Sequence, residues 1–203
     1  MWWNWVIQIE AVMVLLINKL NPRLVKPGVF IYYICKTNKQ IKEENIMSKP
    51  MELSIKQARM TMRKGIGGPF GAAIVNSETG EILCVDSNHV LANNDPTAHA
   101  EICAIRTACK ILGTFDLSGY TIYATGYPCP MCMGAIIWAN LDKVIYAGEA
   151  GDADDIGFRD DWIYQFIEEG CENDLVVPIE ADKKGREEVL ELYKEYSKGG
   201  EMY

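Results

Sequence analysis

The feature that most constrains this chain is a set of metal-ligand residues within residues 96–138. His99 and Glu101 form a His-x-Glu pair, and Cys129 and Cys132 follow in a Pro-Cys-Pro-Met-Cys run. Zn²⁺ binds imidazole nitrogen and thiolate sulfur, and a catalytic zinc site has three protein ligands and a fourth position for water. The spacing therefore predicts one catalytic Zn²⁺ per subunit, with His99, Cys129 and Cys132 as its ligands.

Glu101 lies two residues after His99, so its carboxylate can sit beside the metal without binding it. A carboxylate in that position can take a proton from water and pass it to a leaving group, which makes Glu101 the predicted catalytic proton shuttle. Two other interpretations explain less of the motif. A thioredoxin-like redox pair leaves His99 and Glu101 without a role. A structural zinc site needs a second pair of ligands, and the other cysteines nearby are single in the sequence.

Local patterns place these residues at the starts of two helices. Apolar residues at helical spacing predict a helix over residues 98–112, with Thr97 as its N-cap. Pro130 predicts the start of a second helix, because a missing N–H costs nothing at the first helical position. The positive end of that helix favours thiolates at Cys129 and Cys132.

The remaining pattern predicts an α/β fold. A helical pattern comes first, and a hairpin and further strand–helix units follow it. The predicted strands cover residues 70–76, 82–87, 120–125 and 143–147. Strands that alternate with helices after a hairpin are typical of an α/β sandwich with a mixed sheet.

Residues 1–46 differ from the rest and are predicted to be an N-terminal extension outside a catalytic domain at residues 47–203. Polar residues interrupt their apolar stretch too often for a spanning helix, and a basic signal-peptide region is missing. A membrane-surface anchor is the alternative interpretation, although we expect no stable membrane association. The seven cysteines, an odd number, favour a reducing compartment and hence a cytoplasmic location.

Charge is uneven along the chain. Residues 149–203 contain seventeen acidic and six basic residues, a net charge of −11. An acidic surface repels the phosphate backbone of nucleic acids. We therefore expect a small-molecule substrate and no nucleic-acid partner.

With these motifs placed, residues 47–203 resemble the cytidine-deaminase-like superfamily of zinc-dependent deaminases, and within it the bacterial guanine deaminases. The resemblance to the superfamily rests on residues 67–71, 93–101 and 128–136. Residues 155–164 are more discriminating, because they are similar to the stretch that guanine deaminases carry after their last core strand.

This resemblance implies a three-layer α/β/α sandwich with a mixed five-stranded sheet. It also implies the hydrolytic deamination of guanine to xanthine and ammonia in purine metabolism. The family is usually homodimeric, and in bacterial guanine deaminases a swapped C-terminal segment covers the partner's active site.

The resemblance further assigns residues to the substrate. Phe70 would cover the face of the purine and Asn88 would hydrogen-bond its edge. Asp160, the family's second carboxylate, would bind the amino group or relay a proton as a second catalytic residue. Tyr203 would close the pocket against water.

Two departures from the family pattern leave the substrate open. Tyr127 precedes the Pro-Cys pair where many relatives have Glu, and Arg159 stands where Asp is frequent. The strongest alternative is a deaminase of guanosine or another aminopurine nucleoside, followed by a tRNA adenosine deaminase or a cytosine or cytidine deaminase. The alternative from another class is a non-catalytic zinc-binding protein that has kept the fold.

Overall fold

The computed structural model describes residues 47–171 and 177–200. The predicted extension at residues 1–46 and the predicted substrate residue Tyr203 lie outside the described residues. The domain boundary after residue 46 stays a prediction. Among the described residues, no helix is long and apolar enough to cross a membrane.

The described residues form four strands and seven helices. In chain order these are α1 (Lys49–Arg63), β1 (Gly71–Asn76), β2 (Ile82–Ser87), α2 (Val90–Asn93), α3 (Ala100–Leu112), β3 (Tyr120–Gly126), α4 (Pro130–Trp138), β4 (Lys143–Gly148), α5 (Ala150–Asp154), α6 (Asp161–Glu168) and α7 (Arg186–Tyr196).

The four strands form one mixed sheet in the order β2-β1-β3-β4. Strand β1 is antiparallel to both neighbours, so Ala73 lies opposite Val85 on one side and Tyr123 on the other. Strands β3 and β4 are parallel, as the helical crossover α4 between them requires. The predicted α/β class and mixed sheet are confirmed.

The five strands that the resemblance implied are not found in the described residues, which contain four. The chain leaves β4 and enters helix α5, which begins with a capping box between Glu149 and Asp152. The apolar residues that follow, Ile163, Phe166 and Ile167, have helical spacing and lie in α6. Local capping and periodicity therefore explain why this stretch is helical.

Helices cover both faces of strand β1. Ala72 and Ile74 are fully buried in a core cluster that also contains residues of α3 and α4. Gly71 lies on the opposite face, because side chains alternate along a strand. A Cβ atom at Gly71 would overlap the carbonyl oxygen of Ser54 in α1, so the absence of a side chain permits the close approach of that helix.

The antiparallel pairing of β1 with both neighbours determines where the site lies. Phe70 precedes β1, Asn88 follows β2 and Tyr127 follows β3. Because β1 runs antiparallel to both neighbours, the three residues lie at the same end of these strands. The backbone N–H of Asn88 donates to the Phe70 carbonyl at 3.0 Å and holds two of these segments together.

Candidate metal centre and substrate pocket

His99 and Cys129 are the N-cap residues of two helices, α3 and α4. Both have extended backbone angles, φ −65° and ψ 159° for His99 and φ −64° and ψ 169° for Cys129. Pro130 is the first residue of α4, as predicted, and Cys132 lies in the first turn. Two helix N-termini therefore point their positive ends at one place.

The prediction that Thr97 caps the first of these helices is wrong. Helix α3 begins at Ala100 with His99 as its N-cap, two residues later than predicted. The Thr97 hydroxyl instead donates to the Asp95 carboxylate at 2.7 Å, and the Thr97 N–H donates to the same oxygen at 2.8 Å. A local side-chain turn competed with the cap for the hydroxyl group.

His99, Cys129 and Cys132 form the only group of potential metal ligands of this kind among the described residues, with ligand atoms within 4.8 Å of one another. The His99 Nδ1 atom is 3.6 Å from each of the two sulfur atoms. In a tetrahedral site with ordinary Zn–N and Zn–S bond lengths, a nitrogen and a sulfur ligand are about 3.6 Å apart. The three side chains therefore fit a zinc ion without rearrangement.

The two thiols shift each other's pKa in opposite directions. A hydrogen bond from Cys132, aided by the neighbouring His99, lowers the pKa of Cys129 to about 4. The same hydrogen bond and burial raise the pKa of Cys132 far above its usual range. The hydrogen bond with Cys129 also raises the pKa of His99. Coordination to a divalent cation deprotonates a thiol outright, so such an ion would convert both sulfurs into ligands.

Glu101 lies beside the three ligands. Its side chain is buried, with 7% of the residue exposed, and its Oε2 atom is 3.5 Å from the Cys132 sulfur. Burial in an apolar surrounding penalises the carboxylate and raises the pKa of Glu101. A buried carboxyl group beside a bound metal ion can accept a proton from water and return it to a leaving group.

A cavity of about 610 Å³ opens over this centre. It brings together six of the predicted site residues, namely Phe70, Asn88, His99, Glu101, Cys129 and Asp160. Cys132 is fully buried beneath the cavity. The volume is in the range of pockets that hold one small molecule.

Asn88 can present only donor atoms to a ligand. Its Oδ1 atom accepts hydrogen bonds from the backbone N–H groups of Gly68 and Val90, both at 3.1 Å. These two bonds identify the oxygen and leave the Nδ2 amide for the cavity. The residue is 4% exposed, so this orientation is held within the fold. A ligand that contacts Asn88 must offer a hydrogen-bond acceptor.

Phe158 is a cavity residue to which the sequence analysis assigned no role. Its ring meets the ring of Phe70 edge to face, with centroids 5.0 Å apart and planes at 88°. It follows Gly157, whose φ of +90° places the chain in a conformation that favours glycine. The sequence signal that could have pointed to Phe158 is an aromatic residue directly after a glycine, within the acidic stretch at residues 152–161.

Asp160 enters the cavity from the segment between α5 and α6. Partial burial, together with the nearby Cys129 and Asp154, raises the pKa of its carboxyl group. The segment is anchored to the metal centre, because the Tyr164 hydroxyl donates to the carbonyl of Pro128 at 3.3 Å. That carbonyl belongs to the residue directly before Cys129.

Tyr127 and Arg159, the two residues that depart from the family pattern, both line the cavity. Tyr127 packs edge to face against Tyr146 with ring centroids 5.0 Å apart, and its backbone N–H donates to Gly148. Arg159 forms an ion pair with Asp161 at 2.6 Å. Neither side chain is among the predicted metal ligands or the proton shuttle.

The match to a known protein family agrees with this geometry. Residues 44–148 match the family described as cytidine and deoxycytidylate deaminase zinc-binding region. The chain belongs to this family of zinc-binding deaminases. The match includes all three candidate ligands and Glu101.

Individual relatives support the resemblance to bacterial guanine deaminases. The chain is 51% identical to the guanine deaminase of Bacillus subtilis (strain 168) over 108 residues, which are 53% of this chain and 68% of that protein. A crystal structure of B. subtilis guanine deaminase has a TM-score of 0.66 at 34% identity, covering 77% of this chain and 99% of that one. A tRNA-specific adenosine deaminase of the same species is 41% identical over 96 residues, which are 47% of this chain and 58% of that protein.

Proposed function

We propose that this chain catalyses the hydrolytic deamination of guanine, in which guanine and water give xanthine and ammonia. The observation that carries the proposal is the His99, Cys129 and Cys132 triangle with buried Glu101 beside it, on the floor of a cavity for one small molecule. The proposal is also supported by the similarity to guanine deaminases, which covers 53% of this chain in sequence and 77% in structure and so reaches beyond the zinc motif.

The three ligands would hold one Zn²⁺, which when bound supplies Lewis acidity that lowers the pKa of water. Glu101 would accept the proton of the attacking water molecule and deliver it to a ring nitrogen of the base. It would then move the proton of the C2 hydroxyl group to the amino group, so that the C2–N bond breaks, ammonia leaves and the C2 carbonyl of xanthine forms. The raised pKa of Glu101 favours this return of the proton.

The cavity walls would orient the purine. Asn88 would donate from Nδ2 to an acceptor on the edge of the base, because its oxygen is already occupied by two backbone N–H groups. Phe70 would cover one face of the ring. Asp160 would contact the amino group or relay a proton, and Tyr203 would close the pocket against water.

We also propose a cytoplasmic homodimer whose C-terminal segment is exchanged between subunits. The six cysteines among the described residues are all free, which is consistent with a reducing compartment. Residues 1–46 would be an extension outside the catalytic domain.

The alternative with a specific observation behind it is the tRNA-specific adenosine deaminase activity named for the B. subtilis relative. The net charge of −11 over residues 149–203 opposes binding to a phosphate backbone. The remaining alternative, deamination of an aminopurine nucleoside, depends on room for a ribose in the cavity.

The test is ammonia release by the purified protein with guanine, guanosine, adenine, cytosine and cytidine, and with a tRNA anticodon stem-loop. We expect rapid release from guanine alone. Faster release from guanosine would replace the free-base substrate with a nucleoside. Stoichiometric zinc without ammonia release from any substrate would contradict deamination.

A further inference from the structure

Three consecutive charged residues lie at the mouth of the cavity. Arg159 and Asp161 form an ion pair with Arg159 Nη2 and Asp161 Oδ2 2.6 Å apart. Their side chains are 65% and 52% exposed, so the pair lies on the solvent side of the rim. Asp160, the residue between them, lines the cavity near Cys129.

Asp160 has no cation as a partner in the part of the chain that the structure describes. Two neighbouring carboxylates, those of Asp154 and Asp161, disfavour its negative charge. The residue directly before Asp160 is an arginine, yet the side chain of Arg159 is paired with Asp161. A guanidinium group forms strong, geometrically defined hydrogen bonds with carboxylates and would bind Asp160 if it were released.

Asp154 also attracts the Arg159 guanidinium. One of its carboxylate oxygens is buried without a hydrogen-bond partner among the described residues. Its charge also acts on Arg159, together with the stronger contact to Asp161. The carboxylates of Asp154 and Asp160 therefore compete with that of Asp161 for the Arg159 guanidinium.

Arg159 is poorly suited to bind an anionic substrate group. Its guanidinium is already neutralised by Asp161. Asp154 also acts on the Arg159 guanidinium electrostatically, and its negative charge would repel a phosphate or carboxylate. The ion pair with Asp161 therefore fixes the position of the Arg159 guanidinium and does not prepare it to bind a ligand.

We propose that Asp161 is a positioning residue that holds the Arg159 guanidinium away from Asp160 and so leaves Asp160 free to contact the substrate. The inference rests on the proposed function for the role of Asp160. It explains how the chain accommodates an arginine next to that carboxylate.

The test compares Asp161→Asn, Asp161→Glu and the double variant Asp161→Asn/Arg159→Gln. Release of the guanidinium should lower kcat/KM for guanine about five- to tenfold in Asp161→Asn, as expected for a partly exposed ion pair that forms with Asp160. Asp161→Glu retains the carboxylate and should stay near wild type. Removal of the cation in the double variant should restore most of the lost activity.

A matched control is available in helix α1. Glu52 is also an acidic residue in a first helical turn with an exposed ion pair, to Lys49 at 3.0 Å. Glu52→Gln should leave kcat/KM unchanged. If Asp161 only stabilised the start of α6, the double variant would stay as impaired as Asp161→Asn, and the positioning role would be wrong.

Crystal structures of the wild type and Asp161→Asn provide a readout that does not depend on activity. We expect the Arg159 guanidinium within hydrogen-bond distance of Asp160 in the variant only. A guanidinium that stays beyond hydrogen-bond distance of Asp160 in the variant would overturn the inference. If no substrate is deaminated, the proposed function fails, while these two structures still decide whether Asp161 positions Arg159.

Discussion

His99 and Cys129 stand at the N-caps of two different helices, and His99 Nδ1 lies 3.6 Å from Cys129 Sγ. An N-cap residue has a backbone that is not yet helical, so its side chain can project beyond the helix end. The positive ends of both helices favour the thiolate form of a ligand at this point. The metal centre is therefore a consequence of where two helices begin.

The role of Glu101 gives the first prediction. Glu101→Gln should lower kcat about 10²- to 10⁴-fold, because an amide cannot accept the proton of water. Its zinc content should remain one ion per chain, since Glu101 is not a candidate ligand. Steady-state ammonia release and metal analysis of the same preparation measure both quantities. Glu191→Gln in α7 serves as the control, and near wild-type turnover in Glu101→Gln would exclude the proton shuttle.

The sequence alone was sufficient to single out His99, Cys129, Cys132 and Glu101, which the structure brings together, because their spacing falls within two short segments. Their roles as zinc ligands and proton shuttle stay predictions. The pocket needed more. Asn88 and Phe70 were assigned only through the resemblance, and the structure adds that two backbone donors fix the orientation of the Asn88 amide. Those donors are set by the three-dimensional path of the chain.

Two features depend on which of several possible contacts forms. The Thr97 N-cap was predicted incorrectly, and the place of Phe158 in the cavity was missed. Thr97 has the chemistry of an N-cap, but Asp95 binds its hydroxyl group. Phe158 belongs to the cavity only because its segment packs back over Phe70. The fifth strand that the resemblance implied is not found in the described residues, which contain four strands.

The amide of Asn88 gives a second prediction. Asn88→Asp keeps an oxygen for the N–H groups of Gly68 and Val90 but removes the donor, so KM for guanine should rise. Asn88→Ala removes the acceptor as well, and its free energy of unfolding should fall by about 1–3 kcal/mol. Urea denaturation and steady-state kinetics separate the two effects. Unchanged KM in both variants would show that the substrate does not contact Asn88.

Gly67 should be intolerant of any side chain. A Cβ atom there would overlap both the backbone oxygen and the Oδ1 atom of Asn88. Gly67→Ala should therefore displace Asn88, raise KM and lower the free energy of unfolding by about 1–3 kcal/mol. Gly151→Ala in α5 is the control, because a Cβ atom at that position meets open space. Equal stability and KM in the two variants would contradict this packing.

Asp95 gives a prediction on pH. Hydrogen bonds from the hydroxyl and the backbone N–H of Thr97 lower the pKa of the Asp95 carboxyl group below its usual value. A carboxyl group with a lowered pKa in the folded state stabilises the fold at all pH values above its unfolded pKa. That contribution disappears as the pH falls through the lower, folded-state pKa.

The measurement for Asp95 is the difference in Tm between the wild type and Asp95→Asn as a function of pH. At pH 7 the wild type should have the higher Tm, because the carboxylate accepts both hydrogen bonds from Thr97 and also pairs with Arg106 at 3.4 Å. The difference should narrow as the pH falls below the usual range of aspartate, since protonation weakens the same contacts. A difference that is constant from pH 7 to acid would show that the charge of Asp95 does not support the turn before His99.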